Sequence, residues 1–460
     1  MTCVEVSGKI PFGSLRSRVE DTRLSASSRV DPYWDDLWSA GSQFHWSDVS
    51  ALRAQERAGL AWLPHRMRLS DSEVEDVLRS FRYERLSALS VVDSWRTLTG
   101  ELLAGFTGCA RFLNPDDRVL SALFHAGVLE LGAYATPFGM SESARRRLGL
   151  FRPAKGQAFE RRIAPMLTDT ELVFATGGYP WMSSGTYDRH NMLNAELALR
   201  VGEWLPNVGT VLGEKHALYS LVSSSVVPGV VREHVESNIA QRRADSVIVR
   251  ADGLRVAVEL TASPSPVLAK KVAHWCGVLN SSPLGESGLM VVFVSASNRQ
   301  KVSGDIDRKI RHIIAREASR FPVEVRSRIG WVHWADWFPG RGFVSPEFMG
   351  LTVASPSGRG SDVWECVRVL DPEDFVFEPR DVAGARSVVR ASTLVGSVPF
   401  MVRERIRRAE PEAGVRMRTS VPVADALRAD RAREVVPFGV SPSSDSLISV
   451  PPLLSVPERV

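Results

Sequence analysis

Asp252-Gly253 sits between two apolar runs, DSVIVR and LRVAVELT. An Asp-Gly step flanked by such runs is the strongest short-range hairpin signal a sequence carries, because glycine accepts the positive φ of a tight turn at little cost. The step fixes two antiparallel neighbours and which residues meet across them. Asp245 opens the first run, and Glu259 lies near the end of the second. Closing the chain at 252–253 therefore sets Asp245 roughly opposite residues 259–261, with two carboxylates converging at one sheet edge. Strand alternation puts Glu259 on a face with Ala257 and Thr261, and Val256, Val258 and Leu260 on the other. A carboxylate buried in such a strand needs a partner or a metal. A solvent-facing glutamate on a half-covered sheet fits the same alternation.

The flanking segments extend the hairpin into a domain. PVLAKKVAHWCGVL reads as a helix that buries Leu268, Val272, Trp275, Cys276 and Leu279. Lys271 falls beside that face, while Lys270 points further round. Lysine occurs at only positions 9, 155, 215, 270, 271, 301 and 309, so an adjacent pair stands out against an arginine-rich background. TYDRHNMLNAELALRVGEWLP and SGDIDRKIRHIIAREAS read as helices, GTVLGEKHALYSLV as one or two short strands, and GLMVVFVS and RIGWVHWADW as strands. Residues 186–340 thus follow the order α-β-β-β-α-β-α-β, an α/β domain with a mixed sheet.

Two carboxylates at a sheet edge suit a hard divalent cation such as Mg2+. The ion would orient a water and stabilise a phosphodiester in transition, and a lysine nearby would hold the water or the scissile phosphate. Asp245, then Glu259-Leu260-Thr261 on a hairpin, then Lys270-Lys271 on the next helix, resembles the restriction-endonuclease-like PD-(D/E)xK superfamily. Thr261 stands where the usual lysine would be, and the lysine pair fits members whose lysine has moved to the following helix. More narrowly, His190, Glu196, Glu214, Asp245, Glu259 and Lys271 over residues 70–340 resemble the replication-relaxation family of mobile elements, related to conjugative relaxases. The family's Glu-Leu-Asp-Arg reads Glu-Leu-Thr-Ala here. The resemblance implies magnesium-dependent nicking or processing of DNA for replication or transfer, with other replication or transfer proteins as partners. Asp245, Glu259, Lys271 and Lys270 would be catalytic. Asp245, Glu259, Glu214 and Glu196 would be metal ligands, with His190 beside them.

Upstream, residues 1–69 read as a loosely structured arm. Residues 70–135 follow the order of a winged helix-turn-helix. A Ser70 or Asp71 cap opens one helix, Thr99 starts a second, and Asn114-Pro115 starts a third that would be the recognition helix. Arg111 and Arg118 would contact DNA there, against the repulsion of Asp116 and Asp117. Residues 136–185 read as a basic connector in which Arg145, Arg146 and Arg147 would contact the phosphate backbone. Residues 341–383 read as appended strands, and 384–460 as a flexible Pro/Ser-rich tail.

The length of 460 residues implies two to four domains. A net charge of +4 allows a basic face without requiring one. Cys3, Cys109, Cys276 and Cys366 form no CxxC pair, which argues against a zinc ribbon or disulfide framework and for a reducing, cytoplasmic setting. No leader-like apolar core and no membrane span are read, so no membrane role is expected. P-loop, Rossmann, HExxH and Gly-x-Ser-x-Gly motifs are absent. Three readings follow: a metal-dependent endonuclease or relaxase, a DNA-binding accessory factor that kept the fold and lost the metal, and a structural or assembly protein.

Overall fold

Residues 8–35, 44–60, 63–134, 149–182, 187–217, 244–297, 303–358 and 364–409 are described by the computed structural model. Ser70 caps α1 (Asp71–Ser80) with a complete capping box, its hydroxyl taking the Glu73 amide while Glu73 takes its own. Phe81 interrupts the helix before α2 (Arg82–Trp95). Thr99 caps α3 (Gly100–Thr107), as its position implies. The next helix, α4 (Arg118–His125), begins later than Asn114-Pro115 suggests. Asn114 instead accepts the Asp116 amide in a turn, and Asp117 caps the helix by accepting the Val119 amide.

A four-stranded antiparallel sheet completes this layer, in the order β1 (Phe44–Ser47), β3 (Leu129–Tyr134), β4 (Leu150–Pro153), β2 (Leu98–Thr99). Val119 to Phe124 of α4 are all buried. Helix α1 packs on them, and Phe124 joins Leu52, Leu63 and Met67 in a small core of its own. Exposure on α4 is thus confined to its N-terminal end, where Arg118 is 54% exposed, a narrower face than a recognition helix was expected to offer.

Helix α5 (Asp188–Trp204) leads into the main sheet. Its seven strands are neighbours in chain order: β5 (Val208–Gly213), β6 (Ser246–Arg250), β7 (Arg255–Thr261), β8 (Leu289–Ser295), β9 (Ile329–His333), β10 (Thr352–Ser355) and β11 (Glu365–Arg368). Strands β5 to β7 form an antiparallel meander, β7 to β9 run parallel, and β9 to β11 are antiparallel again. The parallel steps are bridged by α6 (Pro266–Ser281) and α7 (Ser303–Ala318), which pack on each other. The mixed α/β architecture is therefore as read. The long apolar runs are explained by burial of β6 and β8 along their whole lengths.

The hairpin closes where Asp-Gly directs. Val249 pairs with Arg255 and Ser246 with Val258. Asp252 braces the turn by accepting the Leu254 amide and the Arg250 guanidinium. Gly253 stands at φ +97°, and a Cβ there would lie 2.5 Å from the Ala385 carbonyl oxygen. Gly253→Ala is expected to cost about 2 kcal/mol or more from the backbone strain, before any shift of the 385 region. A lowered urea midpoint with an unchanged slope would show it.

Three boundaries differ from expectation. The N-terminal segment is no loose arm: Ile10–Pro11 pairs with Phe343–Val344, and Phe12 packs on Trp204. The strands read as appended complete the main sheet. The start of the expected tail is ordered into α8 (Val382–Ala391) and α9 (Phe400–Ala409), where Met401, Val402 and Ile406 are buried. Residues 410–460 lie outside the described residues. Among the described residues no helix is long and apolar enough to cross a membrane.

Candidate functional site

Two carboxylates meet at the carboxyl-terminal edge of β7. Asp245 lies one residue before β6, and its amide donates to the Val258 carbonyl at 3.0 Å. Its side chain reaches along β7, where Oδ2 accepts the Leu260 amide at 2.7 Å. Oδ1 meets His190 Nε2 of α5 at 2.9 Å. Asn194, one turn further along α5, donates to the Asp245 carbonyl at 2.6 Å and accepts from Ser246. The start of β6 is thereby fixed against α5.

Glu259 is 1% exposed. The solvent-facing alternative for it is excluded because α6 covers its face. Trp275 Nε1 donates to Oε1 at 2.7 Å, and Lys271 Nζ donates to Oε2. Lys271 and Trp275 are four apart on one helix, so a single helical face delivers both donors. Ser265 at the N-cap and Pro266 at the first position set where that helix begins, and hence how far Lys271 reaches.

Charge inside this cluster is unequally shared. Burial pushes the Glu259 carboxyl up to about 7, with the Asp245 charge adding to the rise and Lys271 opposing it. Burial also works against Asp245, but the His190 charge and hydrogen bond, Lys271 and the Leu260 amide outweigh it and hold that carboxyl at about 2. Burial disfavours a charged His190, yet Asp245 holds the imidazole above its ordinary value. At neutral pH the pair is thus one firm anion and one carboxyl poised to gain or lose a proton. Lys271→Ala removes the cation that opposes burial, so the Glu259 carboxyl is expected to rise further, as read by its carbonyl infrared band against pH.

The other sequence-derived candidates lie elsewhere. Glu196 is fully buried in an arginine network, with Arg29 at 2.9 Å and Arg200 at 2.8 Å, and is not a metal ligand at this edge. Glu214 follows β5 in a short turn of helix and faces Arg96 at 3.7 Å. Lys270 is exposed on α6, away from the Glu259 contact. Thr261 supplies no cation, and its hydroxyl turns to the Ser263 carbonyl. Arg111 is held by Asp117 at 2.7 Å and stacks on Phe81, and Arg118 meets Glu73 at 3.3 Å. Asp117 thus both caps α4 and pairs with Arg111. Arg145, Arg146 and Arg147 lie outside the described residues.

Sequence reasoning missed Asn194 and the Trp275 indole as positioning groups. It also missed a second polar cluster on the same sheet edge. Thr261, Ser295 and His333 form one row across β7, β8 and β9. His333 Nε2 lies 3.3 Å from Ser297 Oγ and 3.6 Å from Asp307. Its Nδ1 accepts the Ala335 amide, so in the neutral ring Nε2 carries the proton. The ring is then a donor to Ser297, not the base that would activate it.

Comparison with protein-family models, with curated proteins and with solved structures finds no match to the chain.

The donor set can be judged by its chemistry. Among the described residues, no group of three or more His, Cys, Asp or Glu is arranged to hold a metal ion. Mg2+ keeps several waters and is commonly held by one or two carboxylates. Among the described residues, each oxygen of Asp245 and Glu259 accepts one donor and retains a second lone pair. Two hard carboxylates with a lysine beside them therefore fit a hydrated hard cation.

Proposed function

We propose that this chain cleaves phosphodiester bonds in DNA through a nuclease-like α/β domain, nicking or processing DNA as the PD-(D/E)xK resemblance implies. The observation that carries the reading is the convergence of Asp245, Glu259 and Lys271 from two neighbouring strands and the following helix. The α-β-β-β-α-β order of α5 to β8, an antiparallel meander followed by a parallel strand, supports it. Asp245 and Glu259 would hold Mg2+, which when bound supplies a polarised water and charge stabilisation. Lys271, 27% exposed and paired with Glu259, would meet a phosphate oxygen. His190 keeps the Asp245 carboxylate ionised and oriented.

The N-terminal layer supports a DNA-binding role. Its order α2-β2-α3-α4-β3-β4 supports the winged-helix reading, and Arg145 to Arg147 fall in the chain between its last two strands. With α4 exposed only at its N-terminal end, we assign DNA contact chiefly to that arginine segment. The reading as an accessory factor without catalysis is favoured by one observation, that Thr261 occupies the lysine position. Nicking of supercoiled plasmid in magnesium or manganese separates the two: relaxation by wild type supports cleavage, and DNA retention without relaxation supports the accessory role.

A further inference from the structure

Beside the candidate site, α6 and α7 enclose a groove of 590 Å³ that the proposed chemistry does not use. Its walls are apolar where Pro264, Ala269 and Ile313 line them. Its lips are cationic: Lys270 is exposed on one side, and Arg316 and Arg320 on the other, at 51% and 62% exposure. The one carboxylate lining the groove, Glu317, is buried and already engaged by both arginines, with Arg316 at 2.7 Å. The groove therefore offers an excess of positive charge above an apolar floor. It neighbours the site along the chain. Pro264 lies three residues beyond Thr261 at the end of β7, and Lys270 adjoins Lys271, which holds Glu259.

We propose that this groove seats a single nucleic-acid strand entering or leaving the candidate site, a placement that rests on the reading of that site as phosphodiester-cleaving. Cations at the lips meet phosphates, and the apolar walls meet sugars and base faces, the combination that single-strand channels use. A duplex is stiff over roughly 150 base pairs and rides on the rim of a cleft between two helices, whereas a single strand bends into it.

The test uses the full chain and a labelled oligo(dT) containing 4-thiothymidine. Photo-crosslinks are expected within residues 264–273 and 313–320. Lys270→Glu, an exposed helix substitution, is expected to weaken oligo(dT) binding about tenfold at low salt and to flatten the salt slope by about one. Ala269→Trp, which fills the groove, is expected to weaken binding with the salt slope unchanged. Crosslinks confined to other segments, or wild-type binding by both variants, would overturn the proposal. So would duplex of equal length binding the groove as well as oligo(dT), or polyglutamate displacing the strand at equal charge, which would mark a site for acidic protein. Glu259→Gln keeps the reading of the site separate. If the strand occupies the groove while neither wild type nor variant cleaves DNA, the cleavage reading fails and the groove stands.

Discussion

Glu259→Gln is expected to lower single-turnover cleavage of DNA by about 10²- to 10³-fold while leaving the protein folded, since several kcal/mol of metal-dependent stabilisation is lost at about 1.4 kcal/mol per tenfold. The amide keeps the shape of the side chain and can still accept from Trp275, but it cannot bind a hard cation as an anion. The same substitution carries a stability signature in EDTA, without metal. The Glu259 carboxyl is raised in the folded state from an ordinary 4.5 to about 7. Its contribution is therefore fully present below pH 4.5, falls as pH rises through 7, and is constant above that. Wild type should lose up to about 3 kcal/mol relative to Glu259→Gln between pH 4.5 and pH 8. Asp245 titrates at about 2 and adds nothing in that window. Urea midpoints of the two proteins across this range check it. Parallel curves would mean that Glu259 is not held in the buried, poised state described.

Glu196→Ala is expected to cost about 3–5 kcal/mol, or to prevent folding, with no bearing on metal binding. Its carboxylate lies between Arg29 and Arg200, all three side chains about 1% exposed. Arg200 also meets Asp31 at 2.7 Å and stacks on Phe338 at 4.3 Å. Arg29 lies 3.6 Å from Glu203. Removing Glu196 leaves two buried guanidiniums short of one anion, in a medium where an uncompensated charge is strongly unfavourable. This network fastens residues 24–35 to α5, and α5 carries His190 and Asn194. A destabilisation below 1 kcal/mol in chemical unfolding would refute the structural role.

The contrast between Glu196 and Glu259 shows what was legible in the sequence. Glu259 could be placed because its neighbours are local: a two-residue turn sets Asp245 against it, and a helix beginning five residues beyond Thr261 returns Lys271 to it. Glu196 could not, because Arg29 lies 167 residues away and no local pattern announces that partner. The N-terminal arm was misread for the same reason, since scattered aromatic residues reveal their packing only when Trp204 and Phe343–Val344 are in place. Helix α4 illustrates a further limit. Its start signal identified it, but burial of Phe124 near its end depends on Leu52, Leu63 and Met67 from a segment without strong periodicity. The Trp275 indole was counted for its apolar area, while its N–H proved to be the second donor to Glu259.

Asp245 and Glu259 acting together on one divalent cation is the central claim, and calorimetric titration of the full chain with Mn2+ tests it most directly. Wild type is expected to bind one ion with a response that Asp245→Asn and Glu259→Gln each abolish, while Glu214→Gln binds as wild type does. Retention of the same ion by both Asp245→Asn and Glu259→Gln, or no binding by wild type, would contradict it.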